Sequence, residues 1–177
     1  MNNKKQNLFE IPLWHIKVSN FSEKKKQIED LFQEYKEEKT GIQNFFTNKS
    51  KIKNPSVNAK FVDILTKEIE LISQEVKSDV GLIDVWTVSY ENGDYHTPHC
   101  HGHSGITAIL YLNLPENSPN TTYIQPWIDI KTNVTKQLNI DVKEGDIVVV
   151  PSFILHFSSP NKSDKIKRIV SWDMKIV

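Results

Sequence analysis

Two hydrophobic patterns divide the chain. Before about residue 80, apolar positions recur at helical spacing; from residue 82 they alternate or cluster in short runs broken by turn residues. Residues 8–18, Leu-Phe-Glu-Ile-Pro-Leu-Trp-His-Ile-Lys-Val, read as an extended entry strand whose proline suits an edge. Ser22 is placed to cap a helix running to about Lys39, because Ile28, Leu31, Phe32 and Tyr35 form one i, i+3, i+4, i+7 stripe. Residues 40–55 are polar and Asn/Lys-rich and read as a loop. Ser56, after Pro55, predicts the start of a second helix to about Val76, lined by Phe61, Leu65, Ile69, Ile72 and Val76. Both helices are expected to pack on the outside of a sheet.

The second half carries about eight short strands, roughly 82–90, 95–101, 105–114, 121–130, 137–142, 146–150, 153–158 and 166–176. Turn signals separate them at Glu91-Asn92-Gly93-Asp94, at Pro115 to Asn120 and at Glu144-Gly145-Asp146. With no helical pattern between the strands, the expected fold is mainly β with N-terminal helices, a sandwich or jelly roll. One domain is expected over 1–177, with an entry strand and helices in 1–80 packed on a core in 81–177.

Composition narrows the function classes. The formal net charge is zero, so nothing points to nucleic acid. No apolar run approaches the roughly 20 residues of a membrane span, and no apolar segment of signal-peptide type follows the N-terminus. The one cysteine, Cys100, excludes an intramolecular disulfide and suits a reducing cytoplasm, the host's if the chain is phage-encoded. Cys100 is expected to be a packed thiol. Of the 22 basic residues all but one, Arg168, are lysine. Where lysine serves almost everywhere, a lone arginine suggests a need for the planar, two-pronged guanidinium. The lysine run 24–26 reads as a solvated face.

The candidate chemistry is a histidine cluster. Four of the six histidines fall in His96-Thr-Pro-His99-Cys100-His101-Gly-His103. Residues i and i+2 of a strand share a face, so His99 and His101 can present two imidazoles to one metal ion while Cys100 points away. His156, behind Asp146-Ile-Val-Val-Val-Pro151-Ser-Phe-Ile-Leu, qualifies as the third ligand. Three protein ligands leave coordination positions open, as in a catalytic rather than a closed structural site. His96 and His103 are expected not to ligate, and His15 reads as structural or exposed. Trp127 and Trp172 are candidates for the cavity wall or for plain core.

From about Trp86 to Met174 the chain resembles the 2-oxoglutarate/Fe(II)-dependent oxygenases of bacteria and phages, of the prolyl hydroxylase type. The resemblance is carried by Gly93-Asp94-Tyr95, Pro98-His99-Cys-His101-Gly-His-Ser104, Ile109-Leu-Tyr111-Leu112, Gly145-Asp146 before Pro151, His156, and Pro160-Asn161 leading to Arg168. Leu8 to Trp14 also resembles the usual opening of that family. It implies a double-stranded β-helix that holds Fe(II) on His99, His101 and His156. It further implies an Arg or Lys some 10–12 residues after the last histidine for the distal carboxylate of 2-oxoglutarate. That role falls to Arg168, with Tyr111 hydrogen-bonding the same cosubstrate. The reaction implied is hydroxylation of an unidentified small-molecule or peptide substrate, with release of succinate and CO2. The middle ligand departs from the pattern: better-known relatives have Asp or Glu where this chain has His101. A three-histidine cupin-type dioxygenase or isomerase, and a non-catalytic jelly-roll protein, are the alternatives. The oligomeric state is open, a homodimer included.

Overall fold

The computed structural model describes residues 10–41, 44–52 and 54–177. Along the chain lie β1 (Trp14–Lys17), α1 (Phe21–Phe32), β2 (Glu38–Lys39), β3 (Phe46–Thr47), α2 (Pro55–Ile64), α3 (Thr66–Val76), β4 (Val80–Tyr90), β5 (His96–His99), β6 (Ile106–Asn113), β7 (Thr121–Ile124), β8 (Gln137–Asn139), β9 (Asp146–Pro151), β10 (His156–Ser158) and β11 (Lys167–Ile176). The strands form a seven-stranded sheet, β1-β9-β6-β11-β4-β3-β2, and a four-stranded sheet, β5-β10-β7-β8. Every pairing is antiparallel, and the two sheets form the expected jelly roll.

The central strands of the large sheet are buried on both faces, which explains the nearly unbroken apolar runs of β6 and β9. Ala108, Leu110, Leu112, Ile147, Val149, Val170, Trp172 and Met174 meet the helices through Ile28, Phe32, Phe61, Leu65 and Ile72. Phe61 packs edge-on against Trp172, ring centres 5.2 Å apart. The opposite parity, including Ile109, Tyr111, Val148, Val150 and Ile169, faces the small sheet with Trp86, Val88, Tyr90 and Tyr123. Strand alternation therefore sorts residues into a helix-side core and an inter-sheet core.

The N-terminal half departs from the periodic reading in three places. The first helix ends at Phe32 rather than near Lys39, and it starts after Asn20, which makes no side-chain cap; Ser22 lies inside it. Beyond it the chain is claimed by the sheet: Tyr35 O accepts from Asn48 Nδ2 at 3.2 Å, and Glu37 Oε1 from Thr87 Oγ1 at 2.5 Å. The expected loop 40–55 contributes β3, which pairs with β2 and β4, and it buries Phe45 and Asn48. The second helix is two, broken at Leu65, whose fully buried side chain joins the helix-side core. The hydroxyl of Thr66 bonds back to the carbonyls of Val62 and Asp63, competing with the helix ladder at the break. The cap of α2 is Asn54, whose side chain accepts from Ser56 N at 3.0 Å, with Pro55 in the first turn. In the entry segment only β1 pairs, at the edge against β9; residues 8 and 9 lie outside the described residues.

Candidate metal centre

The small sheet and the turns at its edge assemble the histidines. His99 closes β5 and His156 opens β10, and the two are directly paired across the ladder, so their side chains share a face. His101 lies past the end of β5, not within a strand as its spacing suggested. Its N–H donates to Ser152 O at 2.9 Å, and Ser152 N donates to Gly105 O at 3.1 Å, so the 101–105 loop is clamped to the turn after Pro151. Gly105 sits at φ +85°, and a Cβ there would strike the carbonyl oxygen of Met174; only glycine lets this loop approach β11 so closely.

His99, His101 and His156 each bring a ligand nitrogen within 4.8 Å of the other two. Ring centres are 5.3 Å apart for His99–His101, 4.4 Å for His99–His156 and 5.1 Å for His101–His156. Each Nδ1 is occupied: His99 on Thr97 O at 2.9 Å, His156 on Ile154 O at 3.0 Å and His101 on Asp173 Oδ1 at 2.7 Å. A carbonyl oxygen only accepts, so Nδ1 carries the proton in His99 and His156, and Nε2 is left to ligate. Burial, then the neighbouring His99, pushes His156 down to about 3; burial also lowers His99 against the opposing pull of Thr97 O. These two imidazoles are therefore neutral near pH 7, the form that binds a metal ion. Three imidazoles on one side of an open site fit a divalent transition ion such as iron.

The other histidines are arranged differently. His96 stacks on His99 with ring centres 3.8 Å apart and lies tilted against Phe45 at 4.1 Å, and burial, followed by the neighbouring His99, drives it down to about 2. His103 is exposed, as is His15, whose Nε2 lies 3.0 Å from Asp146 Oδ2. Cys100 is exposed rather than packed.

The cavity beside the histidines is walled by Trp86, Val88, Tyr90, Thr121, Ser158, Ile169 and Ser171. Trp86 stacks on His101 with ring centres 5.4 Å apart and carries Lys49 Nζ 3.6 Å above its ring. The two tryptophans that were candidates for this wall lie elsewhere. Trp127 is half exposed on another groove, and Trp172 belongs to the helix-side core. The signal that marks Trp86 is parity, since it shares a face of β4 with Val88 and Tyr90.

Arg168 does not line this cavity. It has the parity of Val170 and Trp172, so it emerges on the helix side of the large sheet, where Nε and Nη2 each lie 3.2 Å from Glu37 Oε1. The neighbouring Lys167 turns inward instead. It is fully buried, Nζ donates to Pro119 O at 2.6 Å and Ser158 Oγ at 3.0 Å, and it lies 5.0 Å from the Tyr90 ring. Among the described residues it pairs with no carboxylate, and burial lowers it to about 7. Tyr111 is also fully buried between the sheets; its hydroxyl accepts from Thr121 N at 3.4 Å, and burial raises its pKa. Lys167 and Tyr111 thus converge on the segment 119–121.

Residues 84–173, half of the chain, match the family model described as "Putative 2OG-Fe(II) oxygenase". No curated protein matches the sequence significantly. Solved structures share the fold at low identity. The viral collagen prolyl hydroxylase of Paramecium Bursaria Chlorella virus-1, in its 2OG complex, is 18% identical with a TM-score of 0.61, over 93% of this chain and 96% of that one. A Pseudomonas putida prolyl-4-hydroxylase is 12% identical, TM-score 0.61, over 93% of each chain. HygX of Streptomyces hygroscopicus, with nickel, 2-oxoglutarate and hygromycin B bound, is 10% identical, TM-score 0.66, over 93% and 83%.

Proposed function

Since the chain belongs to the 2OG-Fe(II) oxygenase family, we propose that His99, His101 and His156 hold its iron and that Lys167, rather than Arg168, receives the distal carboxylate of 2-oxoglutarate. Iron and 2-oxoglutarate, when bound, would supply the oxidising chemistry with dioxygen as the oxidant: 2-oxoglutarate, O2 and a substrate C–H bond would give succinate, CO2 and the hydroxylated product, one oxygen atom going to succinate and one to the substrate.

The observation that carries the reading is the joint placement of three convergent imidazoles and one buried ammonium on the inner face of the same jelly roll. A buried ammonium whose bonds go only to neutral oxygens is costly, and an anionic ligand offsets that cost. Lys167 stands 11 residues after His156, inside the interval that the family resemblance implies. Tyr111, anchored on the same 119–121 segment, is the second polar group for that carboxylate. A three-histidine cupin has no use for such a lysine. Ile109, Ile169 and Trp86 exclude water along the cavity wall, and Trp86 holds the His101 ring by stacking.

The proposed substrate is a small molecule or a peptide side chain. The bound hygromycin B of HygX supports the small-molecule option. Among the described residues no helix is long and apolar enough to cross a membrane. A site for Fe(II) and an exposed thiol at Cys100 favour action in the reducing cytoplasm.

Anaerobic Fe(II) titration followed by uncoupled 2-oxoglutarate decarboxylation tests the reading. Wild type should bind one iron and release succinate. His99→Ala, His101→Ala and His156→Ala should each lose most of the iron affinity, while His103→Ala retains it. Stoichiometric iron in purified His99→Ala would refute the ligand set.

A further inference from the structure

The three imidazoles are tied at Nδ1 by unlike partners. Two donate to main-chain carbonyls, those of Thr97 and Ile154, but His101 faces a carboxylate, Asp173 Oδ1, at 2.7 Å. The same oxygen accepts from Thr107 Oγ1 at 2.8 Å, and Thr107 Oγ1 lies 3.1 Å from Ser152 Oγ. Ser152 in turn holds the main chain of His101. Only 5% of the His101 side chain and 17% of the Asp173 side chain are exposed. Among the described residues Asp173 forms no ion pair with a lysine or arginine.

A largely buried carboxylate with no cation beside it is destabilising unless a positive charge lies within reach. Lys167, the buried amine of the same strand, is engaged by Pro119 O and Ser158 Oγ. The charge that Asp173 can reach is that of an ion on Nε2 of His101. A carboxylate on Nδ1–H fixes the tautomer and the ring plane and makes the opposite nitrogen a stronger donor. Ring plane and tautomer alone need no charge, since neutral carbonyls do the same for His99 and His156. What Asp173 adds is negative charge. A ligand set of two histidines and one carboxylate carries one negative charge, whereas three neutral imidazoles carry none.

On the reading that these histidines hold the iron, we infer that Asp173 is a positioning residue that restores this missing charge through His101, so that the His101–Asp173 pair acts as the anionic ligand of the site. Thr107 and Ser152 keep the carboxylate in line, and Gly105 lets the His101 loop come close enough to β11 for the pair to form.

The test compares wild type, Asp173→Asn, Thr107→Val and His101→Ala, loaded anaerobically with Fe(II) alone. Asparagine keeps Oδ1 as an acceptor for both His101 and Thr107 and removes only the charge. Asp173→Asn should bind Fe(II) on the order of 10–100-fold more weakly, the usual loss for a supporting partner of a metal-bound histidine. Fe(III) affinity should fall further than Fe(II) affinity, so the Fe(III)/Fe(II) midpoint rises, by about 59 mV for each extra tenfold. Thr107→Val keeps the charge and should keep the midpoint. Thermal unfolding of the metal-free proteins reports whether each variant folds. Should the asparagine variant fail, Asp173→Ser carries the same expectation. An Asp173→Asn protein with wild-type affinity and midpoint, or a Thr107→Val protein with the same shift as Asp173→Asn, would overturn the inference. His101→Ala separates the two levels. If it keeps its iron, the ligand assignment itself fails; if it loses iron while Asp173→Asn behaves as wild type, only the role of Asp173 fails.

Discussion

Replacing Lys167 by methionine removes the inward ammonium while keeping the length and apolar stem of the side chain. Among the described residues Nζ donates to Pro119 O and Ser158 Oγ. Binding of 2-oxoglutarate exchanges at least one of these for a charge-assisted bond, and losing such a bond costs roughly 1.5–3 kcal/mol, or about 10- to 150-fold in Kd. The loss is also pH-dependent, because burial lowers Lys167 from 10.5 to about 7. The free protein therefore sheds this proton as the pH rises through about 7, and a bound dianion, favouring the ammonium, takes it back. Wild-type affinity should fall above pH 7, approaching about tenfold per unit as the competent fraction shrinks. Close to one proton should be taken up on binding at pH 8. Titration calorimetry with an inert divalent ion, in two buffers of different ionisation enthalpy, measures both quantities. Lys167→Met should bind weakly and show neither the slope nor the uptake. Arg168→Met, altered on the other face of β11, should bind 2-oxoglutarate as wild type while losing about 1 kcal/mol of stability with its Glu37 contact. Wild-type affinity in Lys167→Met, or equal weakening in Arg168→Met, would refute the assignment.

Three further outcomes are expected. Tyr111→Phe should fold normally and weaken 2-oxoglutarate binding by about 1.5–3 kcal/mol, the worth of one hydrogen bond to a charged carboxylate, read in the same titration. Gly105→Ala, which forces a side chain against the Met174 carbonyl at positive φ, should cost on the order of 1–3 kcal/mol in denaturant unfolding and lower iron occupancy with it. The metal-free protein should gain stability as the pH rises from about 7 toward 10.5, because over that window the unfolded chain holds the Lys167 proton and the folded one does not; in Lys167→Met this component of a pH series of melting curves should vanish.

The sequence by itself determined the β architecture of residues 82–176 and the trio His99, His101 and His156 that the fold brings together. Both were legible because they rest on local spacing: strand runs cut by turn residues, and two histidines two apart with a third beyond a proline. Where a stretch obeys one local rule the chain announces it. The breaks at Phe32 and Leu65 and the β2–β3 hairpin were not legible, because distant partners decide them: Thr87 and Asn48 hold the segment after α1, and the helix-side core claims Leu65. The choice between Lys167 and Arg168 was hidden for a related reason. β11 is buried on both faces, so hydrophobicity does not mark which parity looks into the jelly roll, and a register shift between Arg168 and Ile169 against β6 obscures it further. Arginine stood out by its rarity, a property of composition, while the inward position went to its neighbour. Asp173 lies 72 residues from His101 and meets it only because β11 runs beside the Gly105 loop. Spacing reports which side chains share a face of one strand, but only the packing of strands far apart in sequence brings a buried charge to its partner.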